Sequence, residues 1–542
     1  MSNSMDTSGG ARAIYEDQEL CKYLLSNTTA AASLQILASK VHPGGTGVFA
    51  LRDIADGAEV FRSKPLITSV EMGMHSTVCD YCYASSTGRI HHAGRFRKEE
   101  DDMPAIKLCA QCKLCGYCSK SHIDVSQRCQ AVAWKAYHKF ECKAIQQTPL
   151  ATPRTRALYR LLVKHSNGLL TAEEWRGVNY LQSHAESHYN LTGFDTIHKV
   201  ALFGNEFTQS HISLEAIQTL YCTILTNSMA IHPPLGPTSG TAFDIFGSLV
   251  NHSCDPNVFV FSEDNQLRVR SLKAIKSGEE ILQSYADVTA SVMVRQKVLK
   301  SEYFFSCNCS RCQTEAKELE TLTSEEGSST DFFAGIEQRL VGLTNETRSN
   351  AQAFATEEAI EQLKLNISSL TGQLFHERPW PDTLWPMSSM NMTIASLYKS
   401  LGSYPKATTH ALRAFLTEER FFGPQRIEEF FNLIQMLVPV VVLGHKGDWA
   451  KDPSFPSFRQ LWDFYHGLLY ELALRSKKTF GPDTRFTKAV ERWYNEALAS
   501  AGKPHPGNAG FSRRFNDAQK KFLEWAGVDA RRGIVLSPKE PK

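Results

Sequence analysis

The placement of cysteine constrains this sequence more than any other feature. The chain of 542 residues contains fourteen cysteines, and most of them fall into two groups. The first group is Cys79, Cys82, Cys109, Cys112, Cys115, Cys118, Cys129 and Cys142, and the second is Cys254, Cys307, Cys309 and Cys312. No secretory signal is visible at the polar start of the sequence, so we expect a reducing compartment, where clustered thiols indicate metal sites rather than disulfides. Cys21 and Cys222 stand apart and are interpreted as small buried apolar residues.

The first group has the spacing of a double zinc site. The pairs CDYC (79–82) and CAQC (109–112) each place two thiolates on one tight turn, and tetrahedral zinc takes four ligands. Two pairs, two further cysteines, His138 and Cys142 supply eight ligands, which matches two zinc ions. Because the segment has few long apolar runs, we expect metal binding to supply its folding energy.

The run CAQCKLCGYCS, followed by CQAVAWKAYHKFEC, resembles a MYND-type zinc finger. By that resemblance the two zinc sites interleave, with Cys79, Cys82, Cys118 and Cys129 on one ion and Cys109, Cys112, His138 and Cys142 on the other. Ten residues separate Cys118 from Cys129, where the family usually has three, so His122 at the usual offset is a rival ligand. Cys129 is preferred because CQAVAW fits the family pattern, and Cys115 is expected to be a neighbour of the ligands. Fingers of this family usually bind proline-containing peptides, which implies protein partners.

The second group indicates a third zinc site. Cys307, Cys309 and Cys312 form a three-thiolate hook, and Cys254, about fifty residues upstream, can supply the fourth ligand. The residues between them alternate strand and turn. VFVF and LRVRSL predict a hairpin with EDN at its turn, and ILQSY predicts a strand that ends at Tyr285.

The motifs NHSCDPN (251–257), GEEILQSYAD and CNCSRC resemble the SET-domain lysine methyltransferases in their order and spacing. HPGGTGVFALRDIADGAEVFRSKP (42–65) resembles the opening segment of that domain. A zinc finger between the opening segment and NHSC narrows the resemblance to the SMYD-like subfamily, over about residues 30–315. It implies an α+β, multidomain protein, with a β-rich SET domain split by a MYND-type zinc finger and followed by a helical C-terminal domain.

The resemblance also implies a pocket for S-adenosylmethionine. Asn251 and His252 would bind this cofactor, and the backbone of Gly45, Thr46 and Gly47 would line the same pocket. Glycine suits such a position because it lets the backbone approach a ligand closely.

Three further residues are candidates by the same resemblance. Asn227 matches a cofactor-contacting asparagine on a helix, although a polar residue on a helix surface would have the same sequence context. Phe305 would pack on the adenine or line the lysine channel, unless it belongs to the core. Tyr285 matches the active-site tyrosine, and its alternative is a tyrosine packed at a strand end.

The expected function is therefore an S-adenosylmethionine-dependent protein-lysine N-methyltransferase acting on histone or non-histone proteins. The alternative is a catalytically inactive zinc-bound scaffold, which is less favoured because the motifs are intact. A net charge of +2 gives no strong nucleic-acid signal, and no run of eighteen apolar residues predicts a membrane span. We expect a monomer in the cytoplasm and nucleus.

The sequence predicts the following organisation. The segments are an N-terminal segment (1–29), the SET domain with its cysteine hook (30–315), the inserted finger (79–142), a helical insert (150–240), a linker (316–332), a helical C-terminal domain (333–502) and a loosely ordered tail (503–542). Within the C-terminal domain, ASLYKSLGSYPKATTHALRA (395–414) has tetratricopeptide-like offsets, and an ordinary helical hairpin fits it equally well.

Overall fold

The computed structural model describes residues 13–86, 105–118, 129–147, 151–376, 379–381, 384–417, 423–501, 506, 508–528, 534 and 536–537. The chain forms two compact units. The first comprises Met1–Arg89, Glu99–Tyr285 and Val298–Cys307, and the second comprises Ile90–Lys98, Ala286–Lys297 and Asn308–Lys542.

Short strands dominate the part of the first unit that surrounds the predicted site. They are β1 (Leu34–Ala38), β2 (Thr46–Ala50), β3 (Glu59–Ser63), β4 (Ile67–Val70), β5 (Ile106–Leu108), β6 (Gly116–Cys118), β7 (Met229–Ala230), β8 (Gly240–Phe243), β9 (Asn251–His252), β10 (Val258–Glu263), β11 (Gln266–Ser271) and β12 (Leu282–Gln283). The strand orders are β1-β2, β10-β11-β3, β4-β8-β7 and β5-β6, all antiparallel, and β9 pairs with β12 in parallel.

The helices are, in chain order, α1 (Gln18–Ser26), α2 (Cys129–Ala133), α3 (Lys139–Glu141), α4 (Pro153–Ser166), α5 (Ala172–Tyr180), α6 (Ala185–His188), α7 (Phe194–Thr208), α8 (Leu214–Asn227), α9 (Val292–Glu302), α10 (Ser310–Glu325), α11 (Thr330–Ser349), α12 (Glu357–Thr371), α13 (Met387–Ser400), α14 (Tyr404–Thr417), α15 (Pro424–Leu443), α16 (Phe458–Phe480), α17 (Arg485–Ala501) and α18 (Ala509–Ala526). Among the described residues, no helix combines the length and the apolar run that crossing a bilayer requires. The mixture of sheets and helices confirms the predicted α+β, multidomain class.

The predicted hairpin is present and its turn is shorter than expected. β10 and β11 are joined by Asp264 and Asn265, whose φ values are +54° and +60°. Aspartate and asparagine tolerate this left-handed region, which a two-residue hairpin turn requires. The predicted strand ILQSY is reduced to β12, whose Leu282 and Gln283 pair with Asn251 and His252.

Helices of the insert and strands of the SET region share one core. Leu158 of α4 and Ile217 of α8 belong to the same buried cluster as Phe61 and Phe243. α4 begins with Thr152, whose side chain accepts a hydrogen bond from Thr155 N as the helix cap. The helical prediction for 150–240 holds only to Asn227, because β7 and a Pro/Gly-rich stretch follow it.

The first unit also begins earlier than predicted. α1 lies within the segment 1–29, and its Leu20 and Leu24 are buried in the core shared by the strands. The described part of this segment is therefore an ordered part of the first unit.

The predicted linker (316–332) is wrong. α10 continues to Glu325 and α11 begins at Thr330, which leaves only a short connection. Leu319 and Thr323 are buried one helical turn apart, and the flanking Lys and Glu residues are good helix formers, so a polar composition did not signal a linker here.

The predicted loose order of the tail (503–542) is also wrong for its largest described part, which is α18. Phe511, Phe515, Ala518 and Phe522 are buried and recur at intervals of three and four residues. This spacing is an amphipathic helix pattern, which the high Lys, Arg, Pro and Gly content of the tail had obscured.

The C-terminal unit is otherwise helical, as predicted for 333–502. The segment 395–414 forms a helical hairpin of α13 and α14, in which Ala395, Tyr398 and Ala407 are buried. Gly402, with φ of +76°, lies in the turn, where a side chain would be strained.

Candidate active site and zinc centres

The loop between β1 and β2 explains the glycines of the HPGGTG motif. A Cβ at Gly45 would lie 2.0 Å from the His42 ring, and a Cβ at Gly47 would lie 2.4 Å from Glu280 Oε1. Gly44 has a φ of +76°. The glycines are therefore already required by the packing of the loop on its own neighbours.

Asn251 joins this loop to the NHSC motif. Its Nδ2 donates to Thr46 O at 2.9 Å, to Ser39 Oγ at 3.0 Å and to Glu280 Oε1 at 2.9 Å. A backbone carbonyl and a carboxylate can only accept, so the amide nitrogen must face them. Among the described residues no group donates to Asn251 Oδ1, which is left to accept a hydrogen bond from a ligand.

His252 is fixed in one neutral tautomer by its two neighbours. Its Nδ1 accepts from Tyr285 N at 2.9 Å, so the ring proton lies on Nε2. Nε2 in turn lies 3.2 Å from Cys254 Sγ and donates to it. His252 therefore connects a predicted zinc ligand to the backbone of the predicted active-site tyrosine.

Tyr285 lies next to β12 in an aromatic environment. Its hydroxyl donates to Val250 O at 2.9 Å, and its ring centroid is 4.8 Å from that of Tyr303. Burial, followed by the influence of Tyr303 and the negative charge of Glu280, raises the pKa of Tyr285 well above its usual value. The hydroxyl therefore stays protonated at neutral pH and cannot act as a general base.

Phe305 joins the same group of rings. Its centroid is 5.7 Å from that of His252 and 6.5 Å from that of Tyr285. The preceding Phe304 has a φ of +61°, a strained value for a bulky residue, and its ring contacts those of His184 and His188. The structure thus brings Phe305 to the predicted site rather than to a separate core.

Asn227 is the last residue of α8, and its amide is already engaged. Nδ2 donates to Gln182 O at 2.7 Å and to Thr223 O at 2.8 Å, and its backbone oxygen accepts from Ser248 Oγ at 3.0 Å. These bonds join α8 to the segment before Asn251. They support a structural role and leave a cofactor contact for Asn227 as an untested expectation.

The finger cysteines form the two interleaved groups expected from the resemblance. The ligand atoms of Cys79, Cys82, Cys118 and Cys129 lie within 4.8 Å of one another, and so do those of Cys109, Cys112, His138 and Cys142. His122 lies outside the described residues. Cys115 lies near His138 and Glu141 but in neither group of four, and its Sγ accepts from Arg156 at 3.3 Å.

The donor sets of both groups suit zinc. Neighbouring sulfurs are 3.3–3.7 Å apart, and two thiolates on a tetrahedral zinc with 2.3 Å bonds would be about 3.8 Å apart. His138 Nδ1 lies 3.2 Å from Glu141 Oε1, a carboxylate contact that orients a metal-binding histidine.

Cysteines of the predicted third site also lie close in pairs. Cys254 and Cys307 of the first unit have their Sγ atoms within 4.8 Å, and the same holds for Cys309 and Cys312 at the start of the second unit. Their arrangement as one site is taken up below as a proposal.

A buried charged cluster, formed by Arg156 and Arg160 of α4 with Asp80 and Glu141 of the finger, was not predicted. Arg160 donates to Glu141 at 2.6 and 2.8 Å and to Asp80 at 3.2 Å, and Arg156 lies 3.7 Å from Asp80. All four residues are buried. Although burial opposes ionisation, Arg160 holds the pKa of Glu141 well below its usual value. The sequence contained no local signal of this long-range pairing.

Comparison with known proteins supports the assignment of the domain. Residues 45–286 match the SET domain family. Mouse histone-lysine N-methyltransferase SMYD3 is 28% identical over 296 residues, which cover 52% of this chain and 62% of that protein. The SET domain and MYND-type zinc finger protein 6 of Schizosaccharomyces pombe is 28% identical over 291 residues, covering 53% and 54%.

Among solved structures, the SET domain of LSMT bound to lysine and AdoHcy is 12% identical, with a TM-score of 0.26 and coverage of 94% of this chain and 92% of that one. A score this low supports no statement about the site. The match to mouse SMYD3 spans about three fifths of that relative. From the SET match, the relatives and the site geometry together, the chain is a SMYD-like SET-domain protein.

Proposed function

We propose that this chain is an S-adenosylmethionine-dependent protein-lysine N-methyltransferase. The observation that carries the proposal is the meeting of Asn251, His252 and Tyr285 on the paired β9 and β12, with Tyr303 and Phe305 around them. The curated relatives that align with this part of the chain include histone-lysine N-methyltransferases, which supports the same activity. Lysines of histones or of other proteins are the proposed substrates.

S-adenosylmethionine, when bound, supplies a methyl group on a positively charged sulfonium. Asn251 would bind it through the free Oδ1, and the backbone of Gly45, Thr46 and Gly47 would line the pocket beside it. Asn251 can offer only an acceptor at that point, so it selects a donor group of the cofactor.

The attacking lysine must be neutral, and the protein must make it so. With an ordinary pKa of about 10.4, deprotonating lysine at pH 7 costs roughly 4–5 kcal/mol. The aromatic rings of Tyr285, Tyr303 and Phe305 would remove water from the amine and lower its pKa. No carboxylate base is required, and the rate would come from positioning and fixed dipoles.

Tyr285 would orient the amine rather than take its proton. Its O–H is used on Val250 O, which leaves the phenolic oxygen free to accept a hydrogen bond from the amine. Its raised pKa agrees with a neutral hydroxyl throughout the reaction.

Calorimetric titration of S-adenosylmethionine into the zinc-loaded protein tests the proposal. We expect micromolar binding that is lost in Asn251→Ala. A radiolabelled methyl-transfer assay on histones and on cell-extract proteins then follows, with Tyr285→Phe as the inactive control. No binding by well-folded wild-type protein would contradict the proposal and favour the inactive scaffold.

We also propose three structural zinc ions. Two would occupy the groups of the finger, and the third would be held by Cys254, Cys307, Cys309 and Cys312. Each set has four protein ligands and no open position, so the ions would stabilise the fold and take no part in the reaction. Metal analysis of the purified protein by mass spectrometry should give three zinc ions per chain, and a lower stoichiometry that persists after zinc is supplied would contradict this.

A second function, peptide binding by the finger, is favoured by its exposed apolar side chains. Leu108 and Trp134 are 39% and 40% exposed, and Trp134 lies directly before the ligand-bearing turn. Proline-containing peptides are the proposed partners. Binding of an array of such peptides should be reduced in Trp134→Ala, and equal binding by the variant would contradict this site.

A further inference from the structure

We infer that Glu280 is a positioning residue that sets the orientation of the Asn251 amide and holds the β1–β2 loop against it. This inference rests on the proposed function, because its consequence is the affinity for S-adenosylmethionine. The residue stands in the motif GEEILQSYAD, next to Glu279.

The Glu280 carboxylate is shared by separate segments of the chain. Oε1 accepts from Ser39 Oγ at 2.7 Å and from Asn251 Nδ2 at 2.9 Å, and Oε2 accepts from Lys40 N at 2.7 Å. The residue is only 6% exposed. A single buried carboxylate therefore binds both sides of the proposed cofactor pocket.

The backbone of the same residue extends this arrangement. Its carbonyl oxygen accepts from Asn257 Nδ2 at 2.8 Å, and Asn257 Oδ1 accepts from Leu282 N at 2.8 Å. Asn257 ends the NHSCDPN motif and Leu282 is the first residue of β12. Glu280 therefore contacts the loop, the NHSC motif and the strand that leads to Tyr285.

Only a group that accepts at both oxygens satisfies these donors. The amide of a glutamine would point an N–H either at Lys40 N or at the Asn251 and Ser39 pair. In the second case Asn251 would have to turn its Oδ1 inward, lose its bond to Thr46 O and present its NH₂ to the ligand. Glu280 thus determines which end of the Asn251 amide meets the cofactor.

Gly47 supports this assignment independently. A Cβ at this position would lie 2.4 Å from Glu280 Oε1. The second glycine of the GTG sequence is therefore required by the carboxylate, and the loop is built around Glu280.

Calorimetric titration with S-adenosylmethionine tests the inference in Glu280→Gln, with Glu279→Gln as the matched control. Glu279 is exposed and accepts from Lys276 N within its own turn. We expect Glu280→Gln to weaken binding about tenfold, the effect of one buried donor left unpaired, and Glu279→Gln to change it less than about twofold. Ser39→Ala, which removes one donor and carries little folding risk, should weaken binding by an intermediate factor.

A double-mutant cycle separates positioning from a general loss of structure. If Glu280 acts through Asn251, the variant with both Asn251→Ala and Glu280→Gln should bind no more weakly than Asn251→Ala alone, within about twofold. Additive losses, or a Glu280→Gln variant that binds like the wild type, would overturn the inference.

Hydrogen exchange of the ligand-free proteins distinguishes failure of the inference from failure of the proposed function. Glu280→Gln should accelerate exchange at the Lys40 amide, whose hydrogen bond it removes, whether or not the wild type binds S-adenosylmethionine. Unchanged exchange there would count against the role of Glu280, whereas accelerated exchange in a protein that binds no cofactor would count against the methyltransferase proposal alone.

Discussion

A buried glutamate in the C-terminal unit gives a quantitative prediction. Glu337 lies on α11 and is 1% exposed. Its Oε2 accepts from Ser291 Oγ at 2.7 Å, and among the described residues Oε1 has no hydrogen-bond partner. Burial raises the pKa of Glu337 from 4.5 to about 7, against the smaller opposing effects of Ser291 and Arg295.

The sign of the pH dependence follows from this raised pKa. Between about pH 4.5 and pH 7 the folded protein binds a proton at Glu337 that the unfolded chain has lost, so stability falls as the pH rises through this range. A rise from 4.5 to about 7 corresponds to a loss of about 3 kcal/mol once the pH exceeds 7.

Glu337→Gln should therefore stabilise the protein at high pH only. We expect a gain of about 2–3 kcal/mol in the free energy of unfolding at pH 8.5 and almost none at pH 4.5. Urea denaturation of both proteins at a series of pH values measures the difference, in which the shared titration of other groups cancels. Glu346→Gln, an exposed change on the same helix, is the control and should show no such trend. An equal difference between Glu337→Gln and the wild type at both pH values would refute the reasoning.

Three other outcomes are expected. Tyr285→Phe should slow methyl transfer about a hundredfold while leaving S-adenosylmethionine affinity within about twofold, since it removes only the group that orients the amine; a comparable loss of affinity would contradict that role. Arg160→Met leaves Asp80 and Glu141 buried without their strongest partner and should cost about 3–5 kcal/mol in denaturation experiments, whereas Arg176→Met, on the surface, should cost less than about 1 kcal/mol. Exhaustive zinc chelation should unfold the finger, and an unchanged circular dichroism spectrum would contradict the zinc assignments.

The cysteine groups and the motif residues were accessible from the sequence because their chemistry is local. Two thiolates on one turn, or Asn251 beside His252, lie within a few residues of each other, and a family resemblance then relates the distant pieces. Tyr285 and Phe305 were found in the same way, and the structure brings both to β9 and β12.

Residues that act only through distant contacts were missed. Glu280 is one of two adjacent glutamates, and nothing in the sequence distinguishes the buried one from the exposed one. Arg160 has the context of an ordinary helix-surface arginine, yet it is 1% exposed. The tail illustrates a different failure, because overall composition was weighed more heavily than the regular spacing of Phe511, Phe515 and Phe522.

The buried charged cluster means that the finger is not a detachable module. Asp80 and Glu141 lie within its predicted limits, and their partners Arg156 and Arg160 belong to the insert. A shortened protein without residues 79–142 would keep two buried guanidinium groups without their counter-charges, at a cost of several kcal/mol for each. Anyone shortening this protein would have to replace both arginines with apolar residues of similar size, and grafting the finger onto another protein would call for an arginine-bearing helix to receive it.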